Sequence, residues 1–328
     1  MLNALRTANF STKSWELRSP FRITGYTFTA VDILHVIITE NGASGYGEAT
    51  GIYYRDENGF SLLAQAESVK QALQQGAGRE QLRKLLPAGG ARNAIDCALW
   101  DLEAKREGKS IWELTGIEPG EIISFTTIGI DTPEEMAKTA KSITSGRIKV
   151  KLDSDLPVER ISAVRAARPD AEIVVDVNQG WSFEQLVELA PKFKKLGIAM
   201  IEQPLPRGGD EALEKYRSPI TLCADESCLD TSEFEQAARR YQMINIKLDK
   251  TGGLTEALEL AEMAQASGIE LMVGNMVGTS LAMAPGYVVA QLCRFADLDG
   301  ALFLKQDRQN AMSYTDGVLS APAPKLWG

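Results

Sequence analysis

The chain has 328 residues, 44% hydrophobic and 24% charged, the balance of a globular protein with ample core; it exceeds one ordinary domain, although a (β/α) barrel alone takes about 250 residues. A formal net charge of −9 argues against nucleic acid or an anionic membrane as partner, since both require a basic footprint. No apolar run is long enough to cross a bilayer, and Met1 to Phe10 lacks the pattern of a signal peptide, so a cytoplasmic protein is expected, with homo-oligomers left open.

Residues up to about 55 read as antiparallel β structure. Ala30 to Ile38 alternates, meets Glu40-Asn41-Gly42 and resumes from Ser44 to Ala49; an Asn-Gly between two such runs signals a hairpin. Arg18 to Tyr26 and Gly51 to Arg55 read as loops, in which Arg22, Thr24, Tyr26 and Arg55 are candidates for a lid. Residues 60–115 read as helical, with Ala94, Cys97, Ala98 and Asp101 at helical spacing on a face suited to close packing. Thr115-Gly116 supplies a stop. The cysteines Cys97, Cys223, Cys228 and Cys293 form no C-x-x-C pair and read as reduced core thiols.

Ser124 to Ile128 then reads as a first barrel strand, and Pro133 opens a helix. Between Arg147 and Gly253 five hydrophobic segments each end in charged side chains: Lys149 and Lys151, Asp176 and Asn178, Glu202, Asp225 and Glu226, and Lys247 to Lys250. Asp176 and Glu202 are 26 residues apart, Glu202 and Asp225 are 23, about one strand plus one helix per step. The segments between, Ser182 to Leu196, Asp210 to Tyr216 and Asp230 to Arg240, read as helices. Strand alternation puts Lys149 and Lys151 on one side, and Asn245, Lys247 and Asp249 on one side, facing a barrel mouth; Ile148, Val150, Ile244, Ile246 and Leu248 would pack on helices. Glu270 to Met276 reads as a seventh strand, Ser280 to Cys293 as a helix, and Arg294 to Gly300 as an eighth strand or its tip; the tail is expected to return to the N-terminal part.

Three carboxylates converging from successive strand ends repel one another unless a cation neutralises them, and an all-oxygen set suits Mg²⁺ better than zinc or copper. One such Asp would as readily cap a helix; three at successive tips argue for a common centre. Lys151 and Lys247 come from strands on opposite sides of an eight-strand barrel, so they can address two faces of one carbon. Nearby cationic charge lowers a lysine's pKa and makes it a usable base, which points to proton abstraction beside a carboxylate through an enediolate. A Lys base with Mg²⁺ is a pattern already known for enolase-type sites.

Lys149-Val150-Lys151, Asp176-Val177-Asn178, Glu202-Gln203-Pro204, Asp225-Glu226-Ser227, Lys247 to Gly253 and the helical Ala94 to Leu102 resemble the enolase superfamily, in its muconate lactonising enzyme subgroup. The resemblance covers nearly the whole chain. It implies an α/β fold, a modified (β/α)7β TIM barrel over residues 119–304, with an α+β capping domain built from residues 1–118 and the tail 305–328. It implies one Mg²⁺ per subunit on Asp176, Glu202 and Asp225, with Lys151 and Lys247 as acid/base catalysts. Lys149 would sit by the substrate carboxylate and depress the pKa of Lys151, and Thr127 would contact substrate. The only histidine, His35, lies in the N-terminal hairpin, which disfavours the His-base subgroups.

Asp297-Leu298-Asp299 resembles the Asp-x-Asp of dipeptide epimerases, where the acids would hold a substrate ammonium. A small dipeptide is thus the expected partner, with L-Ala-D/L-Glu from cell-wall peptide as the specific expectation. Gly278 stands where much of the subgroup carries an acid, which implies a more open pocket there. The alternatives are o-succinylbenzoate synthesis or cycloisomerisation with the same metal and lysines, or a non-catalytic binding barrel.

Overall fold

A computed structural model describes residues 6–23 and 25–328 of the chain. The N-terminal part is a three-stranded antiparallel sheet in the order β1 (Thr7–Ile23), β2 (Tyr26–Glu40), β3 (Ala43–Ala49), followed by α1 (Gly59–Ser68), α2 (Lys70–Gln74), α3 (Arg79–Leu85), α4 (Gly90–Glu107) and α5 (Ile111–Thr115). Asn41 and Gly42, with φ of 52° and 81°, make the tight turn between β2 and β3. The helix α4 lies directly on β3: a Cβ on Gly47 would sit 2.0 Å from the Ala94 carbonyl oxygen, and one on Gly45 equally close to that of Ala98. The small residues of α4 permit this approach, and the helix is buried from Gly90 to Leu102.

The segment Arg18 to Ile23, expected as loop, is strand. β1 continues past a register shift between Glu16 and Phe21 and pairs Phe21 with Phe28 and Arg22 with Thr27. Pro20 is tolerated because β1 is an edge strand and the shift absorbs its missing donor. Gly51 to Arg55 carries a 3-10 turn, Tyr53–Arg55.

After β4 (Ile122–Ile123), eight parallel strands follow: β5 (Thr126–Ile128), β6 (Arg147–Lys151), β7 (Glu172–Asp176), β8 (Ile198–Glu202), β9 (Thr221–Ala224), β10 (Met243–Ile246), β11 (Glu270–Val273) and β12 (Phe295–Ala296). They pair in sequence order, and the sheet's ends meet at a parallel bridge, Ser124 with Ala296, where Phe125 N donates to Ala296 O at 2.8 Å. The helices between are α6 (Pro133–Ser142), α7 (Pro157–Ala167), α8 (Phe183–Lys195), α9 (Phe234–Arg240), α10 (Leu248–Thr251), α11 (Leu254–Ala266) and α12 (Ser280–Ala290). Asp210 to Tyr216, expected as helix, holds only the 3-10 turn Glu211–Glu214. Ile148, Val150, Ile244, Ile246 and Leu248 face the helices, whereas Phe125, Val174, Met200, Cys223, Met243, Met272 and Phe295 fill the barrel below its mouth. All four cysteines are free thiols.

The tail returns to the N-terminal part. β13 (Tyr314–Thr315) and β14 (Val318–Leu319) form a hairpin on β4, and the Trp327 indole donates to the Cys97 carbonyl at 3.0 Å. Arg92 of α4 reaches Thr251 O and Glu256 Oε2, each at 2.5 Å, and so ties the N-terminal part to the barrel. The architecture is a TIM barrel of the modified (β/α)7β kind with an α+β cap. Among the described residues no helix is long and apolar enough to cross a membrane.

Candidate active site

The functional side chains arise where barrel strands end, as parallel strands dictate. Asp176 and Glu202 are the last residues of β7 and β8, and Asp225 follows β9 directly. Lys149 and Lys151 alternate along β6, and Lys247 follows β10. Asp297 follows β12, and Thr127 is the middle residue of β5. All of these are buried except Thr127, which is partly buried.

Burial forces the charges to pair. Lys149 Nζ lies 2.7 Å from Asp297 Oδ2, 2.8 Å from Glu202 Oε2 and 3.1 Å from Asp176 Oδ2. Lys151 Nζ donates to Asp176 Oδ2 at 2.6 Å and to Asn178 Oδ1 at 3.2 Å. Lys247 Nζ donates to Asp225 Oδ2 at 2.6 Å. Asn245 Nδ2 donates to Glu202 Oε1 at 2.7 Å. Asp299 accepts from Thr127 N at 2.8 Å, and Thr127 Oγ1 lies 3.4 Å from Asp297 Oδ1.

The electrostatics follow these contacts. Burial opposes ionisation of Asp176, but Lys151 and Lys149 hold its carboxyl at about 2; Lys247 and Lys250 hold Asp225 well below the usual carboxylate range against the same penalty. Glu202 is pushed up to about 6 by burial and by Asp176, Glu226 to about 8 by burial and by Asp225, and Asp299 to about 7 by burial and by Asp297. Burial also disfavours charge on Lys149 and Lys247, yet their carboxylate neighbours, Asp297 foremost for the first and Asp225 for the second, keep both above the ordinary lysine range.

Among the described residues no three acidic, His or Cys side chains converge as a metal-ligand group; ammonium groups stand between the carboxylates instead. The donor chemistry nevertheless fits a hard divalent cation. Six buried acids, Asp176, Glu202, Asp225, Glu226, Asp297 and Asp299, face four buried ammonium groups. Glu202 Oε2 accepts no hydrogen bond and has the Lys149 ammonium 2.8 Å away as its neutralising charge, a buried and under-coordinated oxygen of the kind a hard cation takes.

Lys151 and Lys247 both line a cavity of about 210 Å³ between barrel and cap. Its cap side is mixed: Phe21, Ile23 and Phe28 from the β1–β2 hairpin and Tyr53 from the 3-10 turn are joined by Asp32, Glu57 and Asn58. Thr127, Lys149, Asp297 and Asp299 lie outside its lining. Of the lid candidates, Arg22 and Tyr26 border a neighbouring cleft with Asp131, Asp153 and Arg160, Arg55 is exposed, and Thr24 lies outside the described residues. Tyr26 meets the Tyr53 ring edge-on at 4.6 Å. Gly278 packs against Ala282 and Glu48, and Met276 and Val277 wall the cavity instead.

Sequence alternation placed Asp249 in the mouth, but β10 ends at Ile246 and the single turn α10 carries Asp249 away to accept from Gly51 N at 3.1 Å. Lys250, quoted in the sequence only as part of a motif, is fully buried and donates to Asp225 Oδ1, Asp225 O, Cys228 O and Asn245 O within 3.0 Å. It fixes Asp225 from below. Asn178 and Glu226 were likewise visible only as motif letters.

The Enolase C-terminal domain-like family model matches residues 132–324, and that of the Mandelate racemase / muconate lactonizing enzyme N-terminal domain matches residues 5–116. The chain is 43% identical to an L-Ala-D/L-Glu epimerase of Escherichia coli, over 96% of this chain and 99% of that one. It is 45% identical to an N-acetyl-D-glutamate racemase of Pseudoalteromonas, over 76% and 79%. Among solved structures, an enolase family member from Agrobacterium tumefaciens with bound sodium and L-Ala-L-Glu superposes with a TM-score of 0.96 at 37% identity, covering 98% and 100% of the two chains. A dipeptide epimerase from Methylococcus capsulatus complexed with Mg and L-Arg-D-Lys gives 0.92 at 29% identity, covering 99% of each. With both family models matched in order along nearly its whole length, the chain belongs to the enolase superfamily, in the group of mandelate racemase and muconate lactonizing enzyme, and is an isomerase.

Proposed function

We propose that this protein is a Mg²⁺-dependent epimerase that inverts the α-carbon of the C-terminal residue of dipeptides, with L-Ala-D/L-Glu as preferred substrate, in the cytoplasm. The observation that carries the reading is that Lys151 and Lys247, from strands four apart in the barrel, border one cavity. One lysine removes the α-proton and the other returns a proton to the opposite face, which gives inversion without any net transfer. Asp176, Glu202 and Asp225 would hold the metal. When bound, Mg²⁺ supplies positive charge that offsets these carboxylates and the charge gathering on the substrate's own carboxylate.

The chain's residues do the rest. Lys149 would bring a fixed ammonium to the carboxylate side of the substrate, and Thr127, whose backbone N donates to Asp299 Oδ2 at 2.8 Å, would contact substrate beside the two acids that follow β12. Asp297 and Asp299 would accept the dipeptide's ammonium. Phe21, Ile23 and Phe28 wall the cap side of the cavity and limit bulk water beside the substrate α-carbon, while each lysine ammonium exchanges its protons with solvent between turnovers, so the proton delivered to carbon is solvent-derived. Residues 1–118 and 305–328 form the cap in this reading, and 119–304 the barrel.

A second reading is racemisation of N-acylamino acids, which lack an ammonium. The pairing of Asp297 with Lys149 at 2.7 Å favours it, because that acid is already neutralised. Steady-state kinetics with Mg²⁺ on L-Ala-L-Glu and on N-acetyl-L-glutamate separates the two. The dipeptide reading requires the larger kcat/KM for L-Ala-L-Glu and loss of activity with a chelator; turnover of N-acetyl-L-glutamate alone would replace it with the second.

A further inference from the structure

We propose that Asn178 and Glu226 are a positioning pair that orients Lys151 through a chain of hydrogen bonds that does not include Lys247. The inference rests on the reading of the two lysines as opposed proton carriers. It concerns how one of them is aimed.

Lys151 Nζ has two oxygen partners, Asp176 Oδ2 at 2.6 Å and Asn178 Oδ1 at 3.2 Å. A single carboxylate oxygen fixes a distance but leaves the ammonium free to swing; a second acceptor fixes its direction. Asn178 can act this way only if its amide oxygen faces the lysine. Turned over, it would present an NH₂ donor to another donor.

Two contacts and a backbone angle hold Asn178 in place. Its backbone N donates to Asp176 Oδ1 at 2.9 Å, which anchors the main chain beside the lysine's other partner. Its φ is +44°, a left-handed conformation that asparagine tolerates better than most side chains. Its Nδ2 faces Glu226 Oε1 at 3.5 Å, and that carboxyl oxygen accepts what a flipped amide oxygen could not offer. Glu226 comes from the end of β9, is 1% exposed, and its Oε2 has no hydrogen-bond partner. A buried carboxyl with one bare oxygen is a costly thing to keep unless it serves a neighbour.

Lys247 has no counterpart to this arrangement. Among the described residues its ammonium donates to Asp225 Oδ2 alone. The pair therefore governs one face of the reaction. Loss of it shifts Lys151 while Lys247 keeps its partner, and misplacement of a reacting group by about 1 Å costs on the order of 100-fold in rate.

The test is α-deuterium exchange in deuterated water with Mg²⁺, followed by NMR for L-Ala-L-Glu and L-Ala-D-Glu separately. Lys151→Ala identifies the epimer whose proton Lys151 takes. Glu226→Leu and Asn178→Gly are expected to slow exchange of that epimer about tenfold or more relative to the other. Glu226→Gln, which retains an acceptor for the Asn178 amide, restores most of that epimer's exchange rate and so removes most of the difference. Melting temperature and calorimetric Mg²⁺ binding check that each variant is folded and binds metal. If Glu226→Leu does not fold, Asn178→Gly, which removes the second acceptor outright, carries the same expectation alone. Equal slowing of both epimers, or of neither, overturns the inference. Absence of exchange in the wild-type protein on both dipeptides would instead overturn the proposed epimerase.

Discussion

The Lys149 ammonium lies 2.7 Å from Asp297 Oδ2 and 2.8 Å from Glu202 Oε2, so one buried cation links the acid after the last strand to the centre of the carboxylate cluster. A dipeptide's ammonium must share Asp297 with Lys149. Asp297→Asn keeps the shape and removes the charge. Its expected effect is a loss of about 10- to 100-fold in kcat/KM on L-Ala-L-Glu, the worth of one charged hydrogen bond. Steady-state assays should show a much smaller change on any N-acylamino acid the enzyme turns over.

Arg92 joins the cap to the barrel through a buried ion pair with Glu256 and hydrogen bonds to Thr251 O and Gly252 O. Arg92→Ala takes the close cation from Glu256 Oε2, leaving that carboxylate to Thr231 and to Arg83 at 3.7 Å, and removes the donor to three carbonyls, Leu86 O, Thr251 O and Gly252 O. The expected loss of stability is roughly 3–5 kcal/mol in urea unfolding. Metal binding by whatever protein remains folded should change little.

Gly47→Ala tests the seating of α4 on β3. The added methyl would meet the Ala94 carbonyl oxygen at 2.0 Å, and backbone cannot swing aside as a side chain can. A destabilisation of about 1–3 kcal/mol or more is expected from thermal melts.

Asp96 is buried and its carboxyl is pushed up to about 6 by burial, against hydrogen bonds from Thr255. Because this folded-state value lies above that of an unfolded Asp, the folded protein holds a proton that the unfolded chain has already released as pH rises from about 4 to 6. The group's contribution is thus fully present below pH 4 and declines through pH 6. Asp96→Asn should flatten the stability profile in that window, measured as urea midpoints against pH, whatever its effect at a single pH.

The strand ends were legible because parallel strands alternate and recur at a regular interval; Asp176, Glu202 and Asp225 could be placed from spacing alone. Alternation could not say where a strand stops. Asp249 was carried three residues past the end of β10 because nothing in Lys247 to Lys250 announces the one-turn helix α10. Pro20 and its serine neighbour look like loop, and only the pairing of β1 with β2 shows that an edge strand absorbs them. Lys250, Asn178 and Glu226 act through contacts between different strand ends, and such contacts have no signature along the chain.

The most direct measurement is the proton NMR spectrum of L-Ala-L-Glu incubated with the protein and Mg²⁺ in deuterated water. Two-lysine transfer predicts that L-Ala-D-Glu appears carrying deuterium at the glutamate α-carbon, and that Lys151→Ala and Lys247→Ala each abolish its formation. A D-epimer that retains the original α-proton, or one formed at the wild-type rate by either lysine variant, would contradict it.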